Sequence, residues 1–223
     1  MSWVHRFVGS SIGLKFLMAI TGVGLFGFLV GHLLGNLLIF QGPEAINEYA
    51  KGLKELPFGL LWVARLGLVA LFGVHIFTAI KLTLKNKSAR PQEYVHGSTI
   101  QASFASRYMV LTGMLIFVFL LYHLAHYTWH VFGEVPVLPG GEVDVYGMVI
   151  AGFGQPLIAV TYVVAMLVLG LHLSHGLSSL FRTLGFHNNK YNRAIELGGS
   201  TVAWCLALAN MSIPVSVWLG FIK

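Results

Sequence analysis

The sequence predicts an all-α integral membrane protein, a bundle of five transmembrane helices. Three observations predict it. Only 10% of the 223 residues are charged and 56% are hydrophobic, whereas a soluble domain carries about 25% charged residues. Five apolar runs are each long enough to span a bilayer, which takes about 20 helical residues. The Lys and Arg residues also divide unequally between the connections, as topology signals do.

The runs lie at about 12–40, 58–81, 106–132, 153–181 and 198–221, and make a single transmembrane domain of residues 1–223. The first is too long for the apolar region of a cleaved signal peptide and is expected to stay as a helix. A polar connection with Gly42-Pro43 and Leu56-Pro57 leads to the second run. The basic stretch KNKSARPQEY follows it, an acidic loop from Pro136 to Asp144 joins the third run to the fourth, and HNNKYNR leads into the fifth. No sequence repeat and no low-complexity tract is evident.

Connections on the side of the N-terminus hold Arg6, Lys15, Lys81, Lys85, Lys87, Arg90, Arg107, Arg182, Lys190 and Arg193. The opposite side holds Lys51, Lys54 and Lys223, and Arg65 falls inside the second run. The positive-inside bias therefore predicts a cytoplasmic N-terminus and an outer C-terminus, the parity that five spans require. The net charge of +6 is explained by these scattered loop residues, so no nucleic-acid partner is expected. The single cysteine, Cys205, excludes a disulfide framework, a cysteine-ligated iron–sulfur cluster and a c-type haem attachment.

Six of the ten histidines lie within apolar runs: His32, His75, His123, His126, His172 and His175. A polar ring in hydrocarbon costs free energy unless something holds it. One such histidine is explained by a helix–helix hydrogen bond, but histidines in four of five helices ask for more. With the chain alternating direction, His32 falls in the outer half of the first helix and His123 and His126 in the outer half of the third. His75 falls in the inner half of the second, with His172 and His175 in the inner half of the fourth. Two imidazole pairs at two depths, very roughly 10–15 Å apart, predict two haems stacked across the bilayer. Two axial imidazoles close the iron to oxygen chemistry and leave electron transfer. The spacings in HLAHYTWH and HLSH also suggest the histidine boxes of di-iron desaturases. Those need convergence at one membrane face and acidic helpers, and no Asp or Glu lies inside any span.

The first helix carries Gly22, Gly24, Gly27, Gly31 and Gly35, the last three at G-x-x-x-G spacing. Close helix packing explains them, and a flat macrocycle beside its ligand helix asks for the same small residues. Gly170 and Gly176 bracket His172 in the same way.

With TGVGLFGFLVGHLL, FGVHIFTAIKL, FVFLLYHLAHY and LHLSHGLSSLFRTLG in order, the chain resembles the cytochrome b membrane anchor of succinate dehydrogenase or fumarate reductase. The likeness is to the five-helix form with two b haems, over nearly the whole chain. It implies His32 with His123 as axial ligands of an outer haem, and His75 with His172, followed by Gly176, as those of an inner haem. His126 and His175 are then candidates for bonding haem propionates or neighbouring helices. The resemblance also implies a flavoprotein and an iron–sulfur protein as cytoplasmic partners, and menaquinone or ubiquinone as substrate. It places the chain in the cytoplasmic membrane of a prokaryote. The basic segment 81–107 is the expected docking surface, although topology alone accounts for its charges.

Haem propionates favour cations near the membrane edges. Arg65 is the sharpest candidate at the outer level, with snorkelling to the interface as its alternative. Lys15, Lys81, Arg107 and Arg182 are the candidates at the inner edge. For the quinone, an outer site would use Glu44, Asn47 or Glu48, and an inner site His5, Arg6, Ser10 or Arg107. The choice matters because moving charge across the membrane involves about 2.3 kcal/mol per 100 mV.

Overall fold

A computed structural model describes residues 3–89, 103–186 and 188–223. Among them the chain is helical, with no strand and only an isolated bridge between Val137 and Val143. Five helices are long and apolar enough to cross a membrane. Arg90 and the rest of 90–102, the middle of the expected docking segment, lie outside the described residues.

Helix α1 (Trp3–Gly9) turns back on α2 (Ser11–Asn36) at Ser10. The Ser10 hydroxyl accepts from the Gly13 N–H at 2.9 Å and donates to the Phe7 carbonyl at 2.7 Å, which caps α2. Gly13 is required there, because a Cβ would overlap the Phe7 carbonyl. Beyond a 3-10 turn over Leu37–Gln41, Gly42 at φ 108° and Pro43 start α3 (Pro43–Lys54). This helix buries Ile46 and exposes Glu44, Glu48 and Lys51. After Pro57–Gly59 comes α4 (Leu60–Ser88), then α5 (Phe104–Arg107), α6 (Met109–Tyr127), α7 (Val145–Phe153), α8 (Pro156–Thr183) and α9 (Asn192–Trp218).

Three boundaries differ from the sequence expectation for physical reasons. The third span stops at Tyr127 rather than near 132. The backbone N–H groups of Trp129 and Val131 turn back to the Leu124 and Ala125 carbonyls, and His130 adopts φ 52°. The fourth span begins at Pro156 rather than 153, because Phe153 ends a separate helix, α7, and Pro156, having no N–H to continue it, sits in the first turn of α8. The second span continues to Ser88; its 29 residues measure about 44 Å, against a hydrocarbon core of about 30 Å. Lys85 and Lys87 lie in its last turn.

The closest helix pair is α8 and α9. Gly170 lies against the Trp204 ring, Gly199 lies against the Ser178 backbone, and Ala203 and Ala207 are 0% exposed. Small residues let two backbones approach in lipid, where no hydrophobic force drives them together. Helix α8 also packs on α6 and α2, and α2 packs on α4. Helix α4 leans on α2 and has no comparable packing against α6 or α8. Of its 29 residues only Thr78 and Leu82 are buried. The bundle is therefore dense around α8 and open between α4 and the α6–α8 pair.

At the end that carries α3 and α7, one side chain closes the structure. The Asn47 amide donates to Asp144 at 2.8 Å, and its oxygen accepts from the Val145 and Tyr146 N–H groups at 2.8 and 3.2 Å. Asp144 in turn caps α7 through the Gly147 N–H. With about 1 kcal/mol net per hydrogen bond in a half-buried site, Asn47→Ala is expected to cost about 2 kcal/mol. The expected readout is a lower thermal midpoint with faster proteolysis between α6 and α7, and an unchanged midpoint would contradict it.

Candidate cofactor site

The sequence expects imidazoles at two levels, and each level has its own geometry. At the first, His32 of α2 and His123 of α6 face each other with ring centroids 5.8 Å apart and planes at 85°. An imidazole–metal bond is about 2 Å, so two imidazoles on one metal atom have centroids about 6 Å apart. The pair matches that span. Phe28 stacks on His32 at 5.4 Å and Phe119 on His123 at 6.0 Å, which orients both rings. His32 is exposed despite lying in the middle of an apolar helix.

At the second level, the His75 ring of α4 lies against Gly22 of α2 and the His172 ring of α8 against Gly113 of α6. His75 Nδ1 is 3.1 Å from the Thr21 hydroxyl of α2, and His172 Nδ1 is 3.0 Å from the Thr112 hydroxyl of α6. Thr21 and His32 are eleven residues apart on α2, as are Thr112 and His123 on α6. Eleven residues are three turns and about 20°, so each helix presents its threonine and its histidine on one face. The levels are about 16 Å apart along both helices, slightly beyond the sequence expectation.

This equality exposes a repeat that the sequence reading missed. M-x2-T-G-x9-H occurs at 18–32 and again at 109–123. Between threonine and histidine, Phe26, Phe28 and Leu29 match Phe117, Phe119 and Leu120. The ligand helices that follow share G-x-H, as Gly73-Val74-His75 and Gly170-Leu171-His172. The signal is legible only when helices one and three are aligned on their histidines, since most other positions differ.

His126 does not stand where a second ligand would. It is 3% exposed, stacked between Tyr127 at 4.0 Å and Phe132 at 5.0 Å. A Cβ on Gly133 or Gly152 would come within about 3 Å of its ring. The Tyr162 hydroxyl lies 3.2 Å from His126 Nδ1 and 3.3 Å from His123 Nδ1. Tyr162 has one proton, so it donates to at most one of the two imidazoles, and of the two rings only His123 has an imidazole opposite. His175 is half-buried one turn beyond His172, its carbonyl accepting from Ser178. Because the His123 and His172 clusters are about 16 Å apart along α6, a converging histidine box is not formed. Among the described residues no three His, Cys, Asp or Glu side chains gather as a metal-ion site.

No protein-family model, curated protein or solved structure matches this chain. The geometry of its own residues therefore carries the argument.

At the His32–His123 level that geometry suits a flat group held between two imidazoles. Gly27 and Gly31 face open space, with nothing within 4 Å of a Cβ built on either. Gly35 does not belong with them, as it backs onto the Tyr49 ring of α3. The two glycines around His172 also separate: Gly170 is packed on Trp204, and Gly176 faces open space.

The remaining candidates divide by what already occupies them. Gly24 meets Leu71 and Gly22 meets His75, an antiparallel register that brings Arg65 level with Gly31. Arg65 is exposed, with its guanidinium 4.9 Å from the Trp62 ring centre. At the other end Arg182 is ion-paired with Glu196, and Lys81 lies 4.7 Å over Phe77. Lys15 and Arg107 are exposed. Of the quinone candidates, Asn47 is engaged with Asp144 and α7, while Glu44 and Glu48 lie on the outer face of α3. Ser10 is engaged in capping α2, and His5 and Arg6 are exposed on α1.

Proposed function

We propose that this chain is a di-haem cytochrome b that carries electrons across a membrane. Within that class we propose the quinone-reactive anchor of a succinate:quinone oxidoreductase. The observation that carries the reading is the facing pair, His32 against His123, with further imidazoles, His75 and His172, about 16 Å away along the helices. Bound haem supplies one-electron transfer, with both axial positions closed to oxygen chemistry.

The chain's residues do the rest. His32, His123, His75 and His172 offer Nε2 lone pairs from four different helices, so loading also ties α4, which packs mainly on α2, to α8. Phe28 and Phe119 stack on His32 and His123 and hold the two rings in orientation. With a single cysteine the chain holds no cysteine-ligated cluster of its own, and the proposed iron–sulfur partner supplies that step. The succinate assignment, with its flavoprotein and iron–sulfur partners, is supported by the resemblance of the four histidine stretches.

The test is purification of the full chain from its native membrane, with a reduced-minus-oxidised spectrum. A b-type band, two haems per chain and co-purifying flavoprotein and iron–sulfur protein are expected. No b-type band overturns the haem reading. A b-type band with a hydrogenase or formate dehydrogenase as the co-purifying enzyme overturns the succinate assignment alone.

A further inference from the structure

The hydroxyls beside His75 and His172 are both buried, Thr21 and Thr112 each being 5% exposed, so water does not compete for them. Each hydroxyl also has a carbonyl on its own helix. Thr21 donates to Leu17 at 2.8 Å, with Met18 at 3.1 Å, and Thr112 donates to Tyr108 at 3.0 Å, with Met109 at 3.1 Å. A hydroxyl has one proton and two lone pairs. With that proton given to the preceding turn, the oxygen is left as an acceptor toward the imidazole. Nδ1 then carries the hydrogen, and Nε2 carries the lone pair that a metal needs. The reverse arrangement would put the hydrogen on Nε2 and block ligation.

At the His32–His123 level no threonine hydroxyl is bonded to either ring among the described residues. The ring of His32 makes no hydrogen bond among the described residues, and His123 shares the Tyr162 hydroxyl with His126. The difference is written into the fold twice, since both threonines occupy the same place in the M-x2-T-G-x9-H repeat and each reaches across to the next spanning helix.

We propose that Thr21 and Thr112 are positioning residues for the haem of the His75–His172 level. They hold both imidazoles in the ligating tautomer and make them stronger electron donors through Nδ1–H donation. A hydrogen bond from the far nitrogen of a ligating histidine orients the ring and raises its basicity, and losing it typically costs about 10–100-fold in metal affinity. A more basic ligand favours ferric iron, so these hydroxyls hold the potential of one haem down and leave the other untouched. The inference rests on the di-haem reading above.

The test uses the full-length chain purified with its partners, as wild type and as Thr21→Val, Thr112→Val, Thr21→Ser and Thr112→Ser. Valine keeps the shape of threonine without its hydroxyl, and serine keeps the hydroxyl. Haem content, haem loss to an excess of apo-haemoprotein, and a potentiometric titration of the b-type band are the readouts. In each valine variant one of two waves is expected to move to more positive potential. One of two haems is expected to leave about 10–100-fold more readily, and serine is expected to restore both properties. Thr21→Ala and Thr112→Ala remove the hydroxyl without adding a methyl, and carry the same expectation where valine is not accommodated. Unmoved waves and wild-type haem retention in the valine and alanine variants overturn this inference while leaving the di-haem reading intact. So do serine variants that behave like valine, which would show packing rather than the hydroxyl at work. A wild-type protein with no b-type band overturns the underlying reading instead.

Discussion

Replacing His32 or His123 with alanine is expected to remove one haem and retain the other, halving both the haem per chain and the amplitude of the reduced-minus-oxidised band. His75→Ala and His172→Ala are expected to remove the other haem. The reason is geometric: His32 and His123 face each other at 5.8 Å, and the second pair lies about 16 Å away along the helices, so neither level can borrow a ligand from the other. His126→Ala is the discriminating control. That ring is enclosed by Tyr127, Phe132, Gly133 and Gly152 and bonds through Tyr162, so its loss is expected to cost stability and keep two haems. Full loss of one haem in His126→Ala with retention in His123→Ala would reverse the ligand assignment.

The second large effect is expected from Gly170→Leu. A Cβ at Gly170 already lies 3.0 Å from the Trp204 ring and 3.1 Å from the Ala207 Cβ, tighter than ordinary van der Waals contact. A leucine adds three further carbons to the most tightly packed helix pair. Overpacking of this kind typically costs about 1–3 kcal/mol, read as a lower thermal midpoint in detergent. Gly170 is two residues from His172, so separating α8 from α9 is also expected to loosen the haem of that level. Gly176→Ala is the contrasting variant. Nothing lies within 4 Å of a Cβ there, and alanine is favoured over glycine in a helix by about 1 kcal/mol. Unchanged stability in Gly170→Leu, or a marked loss in Gly176→Ala, would contradict this division.

The histidines and the spans could be read without coordinates because lipid makes both conspicuous. A long apolar run has one fold available to it, a helix that satisfies its own backbone, and a polar ring inside it stands out. Thr21, Thr112 and Tyr162 were not legible in that way. Threonine inside a membrane helix returns its hydroxyl to the preceding turn, so its presence calls for no partner, and Tyr162 looks like ordinary apolar bulk. Asn47 has a structural partner that the sequence did not show. As a polar residue at the outer end it suggested a ligand contact, and the structure engages it with Asp144 and the start of α7.

By itself, then, the sequence determined that five helices are long and apolar enough to cross a membrane, and that imidazoles recur in four of them. These are properties of single helices, set by composition and by rise per residue. The tertiary structure decided which histidine faces His32, which glycines are packed and which are open, and where α7 breaks from α8. Those depend on the approach of helices far apart in the chain, a matter of a few ångströms that no single helix encodes. The physical reason is the same at both levels. Hydrophobicity is additive along one segment, whereas a ring-to-ring distance or a shared proton exists only between two.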